Sequence, residues 1–224
     1  MGVDPSWHFA PLKDRDDTVS AFSTELLTEI GHIEHLAFVK VTVSWDDLIE
    51  GLKNGEYEAI LSSMSPYLFN EKQFSFSTTY LPLGPVLVVP AHSSIHSIEN
   101  LVGKQIAIVG DPSNDLFLRQ SPGVLIRYYP SDVAALNAML SSTIDGALMD
   151  VMTATAYCDD LYKGSIKIVS DPLTDKGLRL ITLYGQSEDL IEKFDAGLHK
   201  MRSDGRYEKL LHKWSLSLSC HSDK

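Results

Sequence analysis

Residues 39–61 alternate strand, helix and strand, and this restricts the fold more than any other feature of the chain. Val39-Lys40-Val41-Thr42-Val43 is β-branched with alternating character and reads as a strand. Ser44 stands where an N-cap is needed. Asp46 and Asp47 fall in the first turn, where the helix dipole favours negative charge, and Leu48, Ile49 and Leu52 share one apolar face. Asn54-Gly55 ends this helix, and Tyr57 to Leu61 reads as a second short strand. A strand, helix and strand in this order point to a parallel sheet with helices packed on it.

The second half repeats the style. Gln105 to Val109 is a strand, Gly110-Asp111-Pro112 a turn, and Ser113-Asn114-Asp115 opens a helix with capping residue types. Val124 to Tyr129 is a strand, and Ser131 to Leu140 an amphipathic, capped helix. Gly146 to Met149 is a short buried strand ending at Asp150, followed by a helix over 151–162 and a strand over 166–169. Ser187 to Trp214 reads as two helices broken at Ser203-Asp204-Gly205. The chain is therefore α/β throughout, in two similar halves. Leu83 to Pro90 and Asp175 to Tyr184 are extended and not Gly/Ser-rich, so they are expected as structured links between the halves.

Composition removes several classes of function. At 224 residues the chain suits one large domain or two small ones. Its 19 basic and 30 acidic residues leave a net charge of −11, which opposes binding to phosphate backbones and anionic lipid. The longest apolar stretch, Leu83 to Ala91, is interrupted by Gly84, Pro85 and Pro90 and falls far short of the ~20 residues that span a bilayer. Met1-Gly2 leads directly into Val3-Asp4-Pro5 with no signal-peptide pattern, so the protein is either cytosolic or Met1 follows a removed signal. There is no Gly-x-Ser-x-Gly elbow, Walker loop or dinucleotide fingerprint. No cofactor is expected. The eight histidines (8, 32, 35, 92, 96, 199, 212, 221) have no ligand cluster framing them, their flanks read as loop, and no metal site is expected. Cys158 and Cys220 are either two unrelated thiols or one disulfide, which requires an oxidising compartment.

Several ordered motifs then resemble the extracellular solute-binding proteins of family 3, the polar amino-acid receptors of ABC importers. They are Gly2 to Trp7, the long run Ser44 to Ser65, Phe76-Ser77-Thr78-Thr79-Tyr80, Ser97 to Lys104, Asp145 to Asp150, and Gly205 to Trp214. The resemblance covers residues 2–214. It implies a type II periplasmic-binding-protein-like α/β fold of two lobes, each a mixed sheet flanked by helices, with two crossing hinges and the ligand in the cleft. On that pattern lobe 1 is 1–84 with 184–224, lobe 2 is 88–179, and the hinges are 83–90 and 175–184.

Carried over residue by residue, the resemblance implies a ligand set. Ser63 and Ser65 contact the amino-acid head group, Ser113 at a helix start helps bind the α-carboxylate, and Asp150 pairs with the α-ammonium. Trp7 and Trp45 enclose the ligand side chain, and Asp4 lies near that pocket. Each has a plainer reading: Asp150 and Ser113 as helix caps, Ser63 and Ser65 as turn residues, the tryptophans as core. The ligand-binding domains of ionotropic glutamate receptors resemble this family and carry a disulfide between similar places, which implies a Cys158–Cys220 bridge.

Two departures weaken the carboxylate end of the implied site. Where many members have an Arg that grips the α-carboxylate in a fork, this chain has Asn70, expected as a ligand contact without the charge, within the unusually apolar segment Pro66 to Lys72. Asp111-Pro112 stands where the family usually has Gly-Thr, removing one N–H donor and adding a negative charge. The resemblance implies a monomeric, exported, periplasmic receptor that binds an amino acid or a related small molecule and delivers it to the membrane permease of an ABC transporter. A lipid anchor upstream of residue 1 is compatible with this. Two rivals are a ligand-sensing domain of a membrane receptor and a dehydratase-type enzyme using Asp4, Asp111 and Asp150 as acid/base groups.

Overall fold

The computed structural model describes residues 1–4, 15–109, 114–119, 121–218 and 220. Trp7 and Ser113, two of the expected ligand residues, and Asp111-Pro112 lie outside them. In chain order the elements are β1 (Gly2–Val3), α1 (Asp16–Glu34), β2 (Val41–Thr42), α2 (Trp45–Lys53), β3 (Ile60–Ser62), β4 (Phe74–Phe76) and β5 (Leu81–Pro82). There follow β6 (Pro85–Pro90), β7 (Gln105–Ile108), α3 (Asp115–Leu118), β8 (Leu125–Tyr128), α4 (Asp132–Leu140), β9 (Gly146–Asp150), α5 (Val151–Asp159) and β10 (Ile166–Ile168). The chain closes with β11 (Gly177–Leu183), α6 (Glu188–Ser203) and α7 (Arg206–Lys213). These elements form two compact units, Met1–Pro82 with Asp175–Leu216, and Leu83–Thr174 with Ser217–Lys224.

The first unit holds a mixed sheet in the order β2-β1-β3-β11-β4, with β5 also paired to β11. Strands β1, β2 and β3 are mutually parallel, and β11 runs antiparallel to β3, β4 and β5. Helix α2 forms for the expected reasons. Ser44 Oγ accepts from the Asp47 N–H at 3.3 Å, and Leu48 and Leu52 pack with Tyr57, Ile60, Phe74 and Ile181. The Tyr57 hydroxyl donates to the Leu48 carbonyl at 2.7 Å, and its ring lies so close to Gly2 and Gly51 that a Cβ at either would overlap it.

Helix α1 corrects the loop reading of the segment around His32. Its buried stripe, Val19, Phe22, Ser23, Leu26, Leu27, Ile30 and Gly31, includes a serine and a glycine and so has a weak apolar pattern. Ser23 is buried because its hydroxyl shares a 3.0 Å hydrogen bond with the fully buried Tyr80 hydroxyl. Phe22, Tyr80, Phe194 and Tyr207 form a connected aromatic cluster with ring centroids 6.1–6.5 Å apart. The Tyr207 hydroxyl donates to the Tyr80 carbonyl at 2.8 Å, so α7 is pinned to the residue just before β5.

The second unit holds the sheet β10-β6-β9-β7-β8, with β6 antiparallel to both β9 and β10 and β7 parallel to both β8 and β9. Helix α4 starts where the sequence places it, with Ser131 Oγ accepting from the Ala134 N–H at 3.3 Å. The core of this unit joins Leu87, Val89, Ile106, Ile108 and Leu148. The two stretches expected as links each carry a strand. β6 is buried along its whole length, and β11 at every position but the last. Apolar residues on both faces of an extended segment favour sheet interior. The strand expected over 39–43 shortens to Val41–Thr42, both exposed at a sheet edge.

The tail also differs from the expected assignment to lobe 1 as far as residue 224, because beyond Leu216 it joins the second unit. Cys220 is bonded there to Cys158 of α5 as a disulfide, with Cα atoms 5.5 Å apart and a sequence separation of 62.

Two measurements check this packing. Burial pushes the Tyr207 phenol up to about 12 and raises Tyr80 further still, although Ser23 works against the rise at Tyr80. The folded state therefore holds these protons after the unfolded chain, with tyrosines near 10, has released them. This contribution to stability is complete below pH 10 and is lost at about 1.4 kcal/mol per pH unit per tyrosine as pH rises towards 12. The urea midpoint should fall between pH 9.5 and 11, and less steeply in Tyr207→Phe. Cutting the disulfide with Cys158→Ser and Cys220→Ser together should cost about 4 kcal/mol of unfolding free energy, from the loop it closes. A thiol assay on the denatured, unreduced wild type should find no free thiol.

Candidate functional site

In the first unit, the strand registers gather the expected residues at one edge. Val3 pairs with Thr42 on one side and Leu61 on the other, so residues 4, 43 and 62 lie level at the C-terminal ends of three parallel strands. The Val43 N–H donates to the Val3 carbonyl at 3.1 Å and continues the alignment. Asp4 is buried there, 6% exposed. Trp45 opens α2 from the adjoining strand end and is 37% exposed, so it stands at the surface and not in the core. Ligand sites on α/β sheets form at this edge, where strand ends and helix N-termini meet.

Ser63 and Ser65 follow β3 and are half-buried. Ser62 Oγ accepts from the Met64 N–H at 3.2 Å, which turns the chain out of the strand and sets the direction of the next residues. The Ser65 carbonyl accepts both the Tyr67 N–H at 2.8 Å and Asn70 Nδ2 at 2.8 Å. Asn70 is thus committed in part to closing its own turn. The turn presents Tyr67, Leu68 and Phe69 to solvent, with the Tyr67 and Phe69 rings stacked at 5.8 Å.

In the second unit Asp150 ends β9 and stands at the N-cap position of α5, half-buried. Its side chain makes no capping hydrogen bond to the helix. The ends of β9 and β7, which are parallel, are the corresponding edge of this unit's sheet. Among the described residues no group of three His, Cys, Asp or Glu side chains could hold a metal.

Arg179 is the residue that the sequence reading did not single out. It lies on β11 directly across from Ser62 and is 4% exposed. Nη1 donates to the Ser77 carbonyl at 3.0 Å, and Nη2 meets both the carbonyl and the carboxylate of Asp175. Nε has no partner among the described residues. The available signal was an Arg inside the apolar run Gly177–Leu183 with an acid four residues before it. A charge in such a run is buried only if something pairs with it.

The sequence profile of the bacterial extracellular solute-binding proteins, family 3, matches residues 1–217. The chain belongs to this family. It is 29% identical over 165 residues to the ABC transporter glutamine-binding protein of Bacillus subtilis (strain 168), covering 73% of this chain and 59% of that protein, which is less than two thirds of its length. It is likewise 29% identical over 177 residues to the putative ABC transporter arginine-binding protein 2 of Escherichia coli (strain K12), covering 76% of this chain and 71% of that one. The L-cystine solute receptor of Neisseria gonorrhoeae, in its unliganded open conformation, is similar in structure with a TM-score of 0.71 at 19% identity. The match covers 99% of this chain and 94% of that receptor. That likeness gives the fold, the type II periplasmic-binding-protein class.

Asn70→Ala tests the turn. It should lower the urea unfolding free energy by about 1 kcal/mol, the usual worth of a hydrogen bond to a backbone carbonyl. Asn70→Asp should cost more, because it sets a carboxylate against the Ser65 carbonyl.

Proposed function

We propose that this family 3 protein is the receptor of an ABC importer that binds an amino acid or a close relative and delivers it to a membrane permease. One observation carries the reading: Asp4, Trp45 and the Ser63–Ser65 segment, taken from well-separated stretches of sequence, fall at one C-terminal strand edge. Hydroxyl and backbone groups of Ser63 and Ser65 then serve the head group, and Trp45 and Trp7 form walls for the side chain. Asp150 takes the α-ammonium and Ser113 part of the carboxylate. A carboxylate pairing with an ammonium in a site withdrawn from water is worth more than the same pair in solvent.

The units of the chain are read as the two lobes, with the hinges at the passages near 82–83 and 174–175. Binding shifts a conformational equilibrium by its differential affinity for the two states and involves no chemistry. Glutamine-, arginine- and cystine-binding relatives support an amino acid as the ligand class. The disulfide supports an oxidising compartment, and hence export to the periplasm or cell surface. The receptor is read as a monomer without catalytic activity, and lipid anchoring upstream is compatible with it.

A thermal-shift screen of the twenty L-amino acids, simple amines and short peptides tests this. At least one amino acid should raise the melting temperature, by the equivalent of about 2.7 kcal/mol at a hundred times its Kd. Asp150→Asn should weaken that binding about tenfold or more by removing the charge partner of the ammonium. No shift with any member of the panel would overturn the proposal.

A further inference from the structure

We propose that Arg179 supplies the first unit's grip on the ligand carboxylate, in place of the cation that position 70 lacks. This rests on the amino-acid-binding reading above. The argument begins with an incomplete fork. A guanidinium binds a carboxylate best through two parallel N–H bonds. In Arg179 the Nη1 atom is used by the Ser77 carbonyl and Nη2 by Asp175, while Nε is buried and unpartnered among the described residues. The side chain is 5% exposed, so an open donor there is costly to keep.

Asp175 is a replaceable partner. Its side chain is 73% exposed and is held otherwise by a 3.2 Å hydrogen bond from Thr79 Oγ1. The cation is buried and must keep a counter-charge, but the carboxylate that supplies it faces solvent, so a ligand carboxylate could take its place and would fill both Nε and Nη2. The route to Arg179 is an open groove of about 740 Å³ in the first unit. Arg179, Asp175, Ser77 and Thr78 line it together with Pro66 and Glu71, which flank the turn that follows Ser65. The groove therefore adjoins the segment assigned to the head group, and the Ser62–Arg179 register places the guanidinium at the same sheet edge.

The rest of the lining sets the charge class. Asp195 accepts from Thr78 N and Oγ1 at 2.9 and 2.8 Å, and Glu188 accepts from Ser75 Oγ at 2.8 Å and Gly185 N at 3.2 Å. These carboxylates are satisfied by the protein, yet with Glu71 and Asp175 they leave the groove net negative. A dicarboxylate would be repelled, and a zwitterion that brings its own positive charge would not. The ligand class is thus a neutral or basic α-amino acid.

Isothermal titration of wild type, Arg179→Gln, Arg179→Lys and Asp175→Asn tests this with L-arginine against agmatine, L-histidine against histamine, and L-glutamate. Wild type should bind the amino acid of a pair more tightly than its decarboxylated amine, and L-glutamate most weakly. Arg179→Gln should erase that preference, weakening the amino acid about ten- to hundredfold and the amine by less than about twofold. Arg179→Lys should fall between. Asp175→Asn removes the competitor at an exposed position and should tighten the amino acid about threefold. An unchanged preference in Arg179→Gln, or unchanged or weaker binding in Asp175→Asn, overturns the assignment. If Arg179→Gln does not fold, Asp175→Asn decides alone. Wild-type binding with unaffected variants sinks only the Arg179 role. No binding by wild type to any amino acid of the wider panel is the failure of the receptor reading itself, and the Arg179 role goes with it.

Discussion

The first unit depends on one pairing, the insertion of β11 between β3 and β4. Strand β11 is the hydrogen-bonding partner of β3, β4 and β5 at once. Those three strands come from the first 82 residues, and β11 arrives only after the chain has made the whole of the second sheet. Without it, β3 has an open edge, β4 and β5 have no strand partner among the described residues, and Ile181 is missing from the core around Leu48 and Phe74. The edge that carries Asp4, Trp45 and Ser63 is therefore held in place by residues more than 100 positions away. Contacts this distant in sequence raise the contact order, which slows folding.

The same strand explains why a charged residue could be kept in that core. Arg179 is paired in register with Ser62, where β3 turns outward, and the partners of its guanidinium, Ser77 and Asp175, stand just after β4 and just before β11. Removing a charge from water is costly, and one fully paired within its own strand would add little to stability over an apolar residue. A buried cation with one donor in reserve fits recognition better than scaffolding.

Much of the architecture was legible in the sequence because it is written locally. The caps at Ser44 and Ser131 do what their position suggested, the helix break at Ser203-Asp204-Gly205 falls where expected, and the strand before Asp150 ends there. Helix α1 was missed because its buried face includes Ser23 and Gly31, and Ser23 is affordable only through a tyrosine 57 residues away. The proposed ligand residues Asp4, Trp45, Ser63, Ser65 and Asp150 could be listed from a family pattern, but Arg179 could not. Its significance depends on which strand lies beside β3, a fact that no local window contains.

The Cys158–Cys220 bond has an effect beyond the unit that contains it. Between the two cysteines the chain leaves the second unit, makes β11, α6 and α7, and comes back. The disulfide therefore closes a covalent ring that encloses the whole C-terminal contribution to the first unit, which has no cysteine of its own. When the first sheet opens, that segment cannot drift away as a free end, because the chain before it and the chain after it are bonded together at Cys158 and Cys220. Reducing this one bond would return the entropy of the opened loop to the unfolded chain, so its stabilising effect reaches β11, α6 and α7 although both cysteines lie in the other unit.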